Sequence, residues 1–376
     1  MAIIRGTSRG DTLPGTAEAD EIHGLQGHDT IRAGAGDDMV YGDDGNDILD
    51  GEAGRDSVYG GNGNDTLTGT DSGLLDGGSG HDLFILAFDG RGGDLVAHGG
   101  TGNDSFTSFY AGQGNRDFIF GADMYGEAGN DTFTFYSTQA GTMDGGSGND
   151  SFSIYNMLSG TITGGSGAEV IDVRLMLGTI SGDAGNDTIT IGAAKIGSRI
   201  LGGEGHDVIS LGVGSAIIEG GTGNDQLYSG LDLRTRPTQL LGGVGNDILR
   251  SPGLDVLDGG DWRDILESGA YGNVLTGGSG ADLFVYGSLV NPASILADTI
   301  TDFSLRAGDR LDLSGLLDQV SAPADPVADG WLGVESLADG TALLFDADGG
   351  GDGFVQLAIL QGVTLGTADL DRIIIG

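Results

Sequence analysis

Apolar residues recur at a fixed interval along most of the chain, and each follows an acidic residue by two positions. Between Asp11 and Asp65 the acidic residues are nine residues apart, and beyond Asp65 the interval widens to roughly two nonapeptides. An internal period of this kind predicts a repeat architecture. The apolar residues of this first ladder are Leu13, Ile22, Ile31, Val40, Leu49, Val58, Leu67, Phe84, Phe106, Phe133, Phe152, Ile171, Ile189, Ile209, Leu227, Leu249, Leu266 and Phe284.

A second apolar ladder lies just before most of the glycine-rich turns, so each longer repeat contains two short strands. Side chains alternate faces along a strand, and one ladder position in each strand therefore points inward. Stacked coils convert these positions into two internal columns, which predicts an all-β chain folded as a parallel β-roll or β-helix solenoid. The second ladder consists of Leu75, Met124, Met143, Ile162, Ile180, Ile200, Ile218, Leu240, Leu257 and Leu275.

The polar positions between the strands form a second pattern, of which residues 60–67, GGNGNDTL, are a clear copy. Glycine supplies the positive φ angles of a tight turn without a Cβ clash, and such a turn lets backbone carbonyls converge. One carboxylate per turn, stacked coil over coil, makes an array of hard oxygen ligands. That donor set suits Ca²⁺, which takes six to eight oxygens in flexible geometry.

The repeat resembles the RTX (hemolysin-type) calcium-binding nonapeptide over residues 11–285. The resemblance implies stacked turns in which the aspartate and turn carbonyls hold several Ca²⁺ ions between successive coils. The alternative is that Asp and Gly only make turns, which explains any one copy but not the fixed spacing. The aspartates that the resemblance assigns to metal are Asp29, Asp38, Asp47, Asp56, Asp65, Asp82, Asp104, Asp131, Asp150, Asp187, Asp207, Asp225, Asp247 and Asp282.

Four copies depart from the pattern and are not included among the predicted ligands. Asp11 and Asp20 lack most of the glycines, and Glu169 carries a longer side chain than aspartate. At Asp264, Trp262 occupies the position of a turn glycine.

The composition makes the chain strongly acidic, with 56 acidic and 16 basic residues and a net charge of −40. This charge argues against nucleic acid, heparin and anionic membranes as partners. It also opposes compaction, so divalent cations and folding are expected to be coupled. The chain has no cysteine, so disulfides do not supply rigidity.

The C-terminal part changes character after residue 281. Residues 298–303, DTITDF, and 308–317, GDRLDLSGLL, resemble the C-terminal region of RTX proteins exported by type I secretion systems. The resemblance implies an uncleaved export signal, the type I machinery as a partner, and an extracellular or cell-surface location. This fits the lack of an apolar signal-peptide stretch near Met1 and of any run long enough for a membrane helix.

The pattern therefore predicts three divisions. Residues 1–70 are expected to form an N-terminal β-roll of nine-residue repeats, with motifs on both edges of the coils. Residues 71–285 are expected to form a solenoid with one motif per coil, and residues 286–376 a β-rich cap that contains the secretion signal. Within this last part, residues 346–352, DADGGGD, predict a glycine-rich hairpin, with a calcium loop as the alternative.

The functional hypothesis that follows is a secreted, non-enzymatic calcium-binding protein with a structural or adhesive role at a cell surface or in a matrix. Its partner would be a second copy or a surface polysaccharide. The aromatic and Met/Leu side chains between about residues 106 and 177 form either an adhesive or dimer-forming patch, or they fold over the end of the core. One alternative is a polysaccharide-modifying enzyme, lyase-like or epimerase-like, on the solenoid face; another is a membrane-active RTX protein.

The sequence shows no catalytic constellation. The GTSRG at residues 6–10 lacks the strand and helix of a nucleophile elbow. His28, His81 and His206 precede motif aspartates and are interpreted as turn residues.

Overall fold

The computed structural model describes residues 1–70, 72–86, 93–108, 118–139, 141–230, 236–269, 271–287, 296–323 and 325–375. The chain divides into two compact units, Met1–Ala193 and Ala194–Gly376. Each is built mainly from parallel strands stacked coil over coil, which confirms the predicted parallel β-solenoid.

In the first unit the strands fall into two parallel series, one for each side of the coil. One series runs β1–β3–β5–β7–β9–β11–β14–β16–β18–β20. The other runs β2–β4–β6–β8–β10–β12–β15–β17–β19, with β13 also beside β15. The strands are β1 (Ile3–Arg5), β2 (Thr12–Thr16), β3 (Glu21–His23), β4 (Thr30–Gly34), β5 (Met39–Asp44), β6 (Ile48–Asp50), β7 (Asp56–Asn62), β8 (Thr66–Gly69), β9 (Gly73–Ser79), β10 (Leu83–Leu86), β11 (Leu95–Thr101), β12 (Ser105–Ser108), β13 (Phe118–Phe120), β14 (Asp123–Ala128), β15 (Thr132–Gln139), β16 (Thr142–Ser147), β17 (Ser151–Met157), β18 (Thr161–Gly167), β19 (Val170–Met176) and β20 (Thr179–Gly185). Strand β21 (Thr188–Glu204) begins in the first unit and ends in the second.

The pairing register places the two predicted apolar ladders in the core. Phe84, Phe106, Phe133 and Phe152 occupy matching positions in neighbouring strands, and their rings stack with centroids 4.4–4.6 Å apart. All the ladder residues from Ile22 onward are buried. Phe106, Phe133, Phe135 and Phe152 of the aromatic segment therefore belong to the core.

The second unit repeats this arrangement and then closes it. Its parallel series are β22–β24–β26–β28–β30–β34 and β22–β23–β25–β27–β29–β31–β35, and β32, β33 and β34 form an antiparallel sheet. The elements are β22 (Val208–Thr222), β23 (Gln226–Ser229), β24 (Gln239–Val244), β25 (Ile248–Ser251), β26 (Val256–Asp261), β27 (Ile265–Ser268), β28 (Val274–Ser279), β29 (Leu283–Tyr286), β30 (Asp298–Ile300), β31 (Arg310–Asp312), α1 (Ser314–Val320), β32 (Leu332–Leu337), β33 (Gly340–Phe345), β34 (Val355–Gln361), α2 (Thr367–Ile373) and β35 (Ile374–Ile375).

The C-terminal region forms the predicted β-rich cap. Strand β30 continues the series of β28 and β31 continues that of β29. The Asp302 carboxylate accepts hydrogen bonds from the N–H groups of Gly277 and Gly278, at 2.9 and 2.8 Å. The two segments that resemble an export region thus pair with the last glycine turn and cover it. The predicted hairpin at residues 346–352 is also present, between β33 and β34.

A buried polar ladder holds one edge of the second unit, and we define it as Thr238, Asp255, Asn273 and Asp298. Each backbone N–H donates to the side-chain Oδ1 of the next member, at 2.8, 2.9 and 2.8 Å in chain order. All four residues are buried.

Serine hydroxyls satisfy the second carboxylate oxygen of this polar ladder. Ser229 and Ser251 donate to Asp255 Oδ2 at 2.6 and 2.7 Å, and Ser268 donates to Asp298 Oδ2. Because both oxygens of each aspartate have a protein donor, this edge holds together through its own side chains.

We expect Ser268→Ala to lower the free energy of unfolding by about 1–3 kcal/mol, because it leaves buried polar atoms of Asp298 and Asn273 without their partner. Urea unfolding at saturating Ca²⁺ measures this. The matched control is Ser279→Ala, at an exposed serine, with an expected effect within about 0.5 kcal/mol. Equal stabilities of the two variants would show that the polar ladder does not stabilise the fold.

Candidate metal centre

Each glycine turn places a motif aspartate at the start of a strand, where one carboxylate oxygen links two coils. The Asp104 N–H donates to Asp131 Oδ1 at 2.7 Å, and the Asp131 N–H donates to Asp150 Oδ1 at 2.7 Å. The same bond repeats through what we call the long column, which consists of Asp29, Asp47, Asp65, Asp82, Asp104, Asp131 and Asp150. It repeats in the second-unit column, which consists of Asp207, Asp225, Asp247, Asp264 and Asp282.

Consecutive motifs in residues 1–70 lie on two edges, as the nine-residue spacing predicts. Asp20, Asp38 and Asp56 form a separate short column, in which Asp20 N–H donates to Asp38 Oδ1 and Asp38 N–H to Asp56 Oδ1. Each bond joins residues 18 apart, which is two nonapeptides and one full coil.

The second carboxylate oxygen, Oδ2, determines what these columns can bind. In twelve of the motif aspartates this oxygen is buried and has no hydrogen-bond partner within the described part of the chain. A buried, unsatisfied carboxylate oxygen is costly unless a cation or donor meets it. The oxygens in this position are Oδ2 of Asp29, Asp38, Asp47, Asp65, Asp82, Asp104, Asp131, Asp150, Asp225, Asp247, Asp264 and Asp282.

The space in front of this oxygen is kept open by the glycine five residues earlier. A Cβ on Gly126 would lie 2.3 Å from Asp131 Oδ2 and 2.5 Å from the Gly145 carbonyl oxygen of the next coil. The same pair of oxygens borders Gly42 and Gly242. A carboxylate and a carbonyl oxygen thus approach the glycine so closely that no Cβ fits between them. These hard oxygen donors fit Ca²⁺, and the ion would supply the positive charge that the carboxylates lack.

Asp264 has this geometry although its turn departs from the sequence pattern. Its Oδ1 accepts from Asp247 N–H at 2.8 Å, and its Oδ2 borders Gly259 together with the Gly277 carbonyl. The turn survives because Trp262 adopts φ +91°, a left-handed conformation that bulky residues rarely take. The sequence signalled this through Gly259, Gly260 and the apolar residue two positions after Asp264, which keep the register.

Asp11 and Asp20 differ from the columns in the way that their missing glycines suggested. Thr7 donates to Asp11 Oδ2 through its N–H and hydroxyl at 2.6 and 2.8 Å, and Thr16 does the same for Asp20 Oδ2 at 2.8 Å. A threonine therefore takes the role that a cation would otherwise have. These two positions do not offer the unsatisfied oxygen of the long column.

The remaining predicted positions vary around the same plan. Ala33 stands five residues before Asp38, at the position where the other turns have a glycine. Asp56 ends the short column, and the three atoms closest to a Cβ on Gly51 all belong to Asp56 itself. Asp187 Oδ1 accepts from the Glu169 N–H at 2.8 Å.

The residue before each motif aspartate forms a further ladder that the sequence pattern did not reveal. Asn103 N–H donates to His81 Nδ1 at 2.7 Å, and Asn130 N–H donates to Asn103 Oδ1 at 2.8 Å. His28 and His206 accept in the same way, from the N–H groups of Asn46 and Asn224. The three histidines are thus turn residues, as predicted, with Nδ1 engaged by the backbone.

Burial makes the column carboxylates hard to ionise without a cation. It raises the pKa of Asp104 and of Asp131 to about 6, and the like charge of the neighbouring column aspartate adds to the shift. The pKa of Asp264 is raised to about 7 for the same reasons. Burial, together with the adjoining Asp187, raises the pKa of Glu169 to about 9.

A smaller acidic group lies in the hairpin loop of the cap. Carboxylate oxygens of Asp346, Asp348 and Asp352 lie within 4.8 Å of one another. Asp346 is buried, and its Oδ2 accepts from the N–H groups of Gly351, Asp352 and Gly353 at 3.0–3.2 Å. This carboxylate closes its own loop, which accounts for the hairpin without a metal ion.

Fold and site together define a parallel β-solenoid whose turns present stacked carboxylate and carbonyl oxygens. The family model of the RTX calcium-binding nonapeptide repeat matches four copies, over residues 5–40, 41–71, 179–193, 201–232 and 258–288. These ranges are therefore RTX calcium-binding nonapeptide repeats, and Ca²⁺ is the ion that such repeats bind. Among curated proteins, none matches the chain. In the described ranges, the helices are all too short or too polar to cross a membrane.

We expect Asp131→Asn to reduce the number of bound Ca²⁺ ions by about one, because it removes the charged oxygen and keeps the acceptor for Asp104 N–H. At a Ca²⁺ concentration a hundredfold above the Kd of that site, the variant should lose about 2.7 kcal/mol of Ca²⁺-dependent stability. Calorimetric titration and urea unfolding measure the two effects. Asp172→Asn, at an exposed acid, is the charge-matched control and should bind as many ions as the wild type. An unchanged count in Asp131→Asn would exclude Asp131 as a ligand.

We expect the Ca²⁺-free protein to be more stable at acid pH than at neutral pH. The column pKa values are raised from 3.8 in the unfolded chain to about 6 in the folded state, so folding favours the protonated form. This stabilisation is complete below about pH 3.8 and is lost as the pH rises through about 6. Circular dichroism in chelator across pH 3.5–8 should show strand signal that decreases over this window and that Ca²⁺ restores at pH 7.5. A Ca²⁺-free fold that instead strengthens toward neutral pH would contradict this account.

Proposed function

We propose that this RTX protein is secreted, folds when it binds Ca²⁺ outside the cell, and has a structural or adhesive role at a cell surface or in a matrix. The observation that carries this proposal is the series of buried carboxylate oxygens that lack a protein partner. Such a fold is stable only where a cation of the right kind is abundant. Extracellular calcium modules work at ~10⁻⁴–10⁻³ M Ca²⁺, so external Ca²⁺ is sufficient for this purpose.

The proposed ligands are the fourteen predicted aspartates together with Asp264. The turn carbonyl of the next coil would complete each donor set, as at Gly145 for Asp131. Bound Ca²⁺ would offset a large part of the net charge of −40 and so remove the repulsion that opposes compaction.

The three parts of the chain would have different roles, and their bounds follow the repeat pattern. Residues 1–70 and 71–285 would form the calcium-dependent body, and residues 286–376 would carry the cap and the signal for a type I secretion system. A chain of this charge is expected to remain loosely folded in a low-calcium cytosol, which suits passage through a one-step exporter. The contacts of Asp302 with the last glycine turn support a cap that forms together with the body.

The adhesive role is supported by aromatic side chains on the surface of the first unit. Tyr136 and Tyr155 are 39% and 37% exposed and stack with ring centroids 4.7 Å apart. The Arg174 guanidinium lies 4.4 Å from the Tyr155 ring centroid. An exposed tyrosine and arginine cluster is the composition that favours binding to another surface.

A second candidate function, a polysaccharide-modifying enzyme, is favoured by one groove in the first unit. The groove has a volume of about 980 Å³, and Arg5, His23 and Asp43 are among its lining residues. His23 Nε2 lies 2.9 Å from a Glu21 carboxylate oxygen, and His23 Nδ1 lies 3.8 Å from Asp43 Oδ2. A histidine held by carboxylates beside an open groove is a suitable general base. Cleavage or epimerisation of polysaccharides by the Ca²⁺-loaded protein, and its loss in His23→Ala, would establish this function.

The experiment that tests the main proposal is a Ca²⁺ titration from chelator to ~10 mM, followed by far-UV circular dichroism and light scattering, with Mg²⁺ as control. We expect a steep, Ca²⁺-specific gain of strand signal, because many weak sites add their binding free energies. A constant mass would direct attention to a foreign partner such as a polysaccharide, and a growing mass to self-assembly. A full strand signal in chelator at pH 7.5 would refute calcium-dependent folding.

A further inference from the structure

Glu169 lies in the register of the long column and keeps the backbone pattern of a motif aspartate. It is 1% exposed, and its N–H donates to Asp187 Oδ1 at 2.8 Å. Val170 N–H donates to the Asp150 carbonyl, and Ile171 is paired with Phe152 in the core. The coil at Glu169 is therefore folded like its neighbours, and the difference is confined to the side chain.

The extra methylene group of Glu169 moves its carboxylate away from the turn glycine, Gly164, against which a column aspartate would pack. A Cβ on Gly164 would lie 2.9 Å from Glu169 Cγ and 3.1 Å from Glu169 Oε2. One coil earlier, a Cβ on Gly145 would lie 2.4 Å from Asp150 Oδ2. The carbonyl half of the donor set is still in place, because the Gly182 oxygen lies 2.6 Å from the Gly164 position.

The other oxygen of this carboxylate keeps the place of a column Oδ1. Oε1 lies 2.8 Å from the position that a Cβ on Gly167 would occupy, and Asp47 Oδ1 lies 3.1 Å from the equivalent position on Gly45. Neither Oε1 nor Oε2 has a partner at hydrogen-bond distance among the residues described, although the carboxyl group adjoins the Asp150 backbone and the Asp187 side chain. In the column aspartates, Oδ1 accepts the N–H of the preceding coil, as Asp150 Oδ1 does from Asp131. Glu169 thus makes this link less closely, and its Oε2 lies 3.1 Å from the Gly164 position, whereas Asp150 Oδ2 lies 2.4 Å from the Gly145 position.

We propose that Glu169 interrupts the calcium column of the first unit, so that the space between Gly164 and Gly182 takes no Ca²⁺. This inference rests on the proposal that the motif aspartates hold Ca²⁺. Its consequence is that the run of sites ending at Asp150 is separated from Asp187, and the two parts load independently of each other.

The test replaces Glu169 with the residue that the rest of the column uses. Glu169→Asp should bind one more Ca²⁺ per chain than the wild type, because it brings a carboxylate oxygen to the Gly182 carbonyl. Glu169→Gln, which keeps the shape without the charge, should bind the same number as the wild type. The reverse change, Asp150→Glu, should lose one Ca²⁺. Calorimetric titration and native mass spectrometry of the full chain give these counts, and circular dichroism at saturating Ca²⁺ checks the fold.

Two results would overturn the proposal. An unchanged number of bound Ca²⁺ ions in Glu169→Asp would show that the site between Gly164 and Gly182 does not accept an ion even with the shorter side chain. A count lowered by one in Glu169→Gln would show that Glu169 is itself a ligand, and this measurement stands even if the aspartate variant fails to fold. Asp131→Asn separates this outcome from failure of the broader proposal: a loss of one ion there confirms that column aspartates bind Ca²⁺, whatever Glu169 does.

Discussion

The structure depends on a hydrogen bond between coils, in which a backbone N–H of one motif aspartate meets Oδ1 of the next. This bond fixes the carboxylate in a single orientation, and the orientation sends Oδ2 into the buried space over a glycine. The geometry that holds the coils together therefore also leaves a buried, unsatisfied carboxylate oxygen in many of the turns. Under the proposed function, binding of Ca²⁺ would be a condition of the fold rather than an addition to it, as in other sites whose ligands converge only when the chain is folded.

The same chain shows how that charge is handled when no cation is used. In the polar ladder of the second unit, serine hydroxyls donate to the oxygens of Asp255 and Asp298 that would otherwise be unsatisfied. At Asp20, Thr16 has this role. The backbone plan is shared, and the difference lies in whether a hydroxyl donor is within reach of the second oxygen. One edge thus depends on the ionic environment, whereas the other is satisfied by protein groups alone.

The extent to which the site follows from the sequence can be judged from individual turns. Asp131 was predictable, because Gly126, Gly129 and Phe133 agree with the repeat. Asp264 was a weaker candidate, because Trp262 stands where the repeat has glycine, and the turn accommodates it in a left-handed conformation. The threonine donors at Asp11 and Asp20 also lay beyond the pattern, because a local hydroxyl there takes the place of a cation. The hydrogen bonds of the residue before each aspartate lay beyond it as well, because they join residues a coil apart.

The sequence by itself determined the repeat, the parallel solenoid, the two buried ladders and the kind of ion, because each of these depends on short-range spacing repeated many times. The tertiary structure decided which oxygens remain unsatisfied and which turns differ from the rest. Those properties depend on atoms contributed by neighbouring coils, such as the Gly145 carbonyl beside Asp131 and the Gly182 carbonyl beside Glu169. A difference of one methylene or one hydroxyl changes the donor set of a turn, and its effect is decided only where the coils stack.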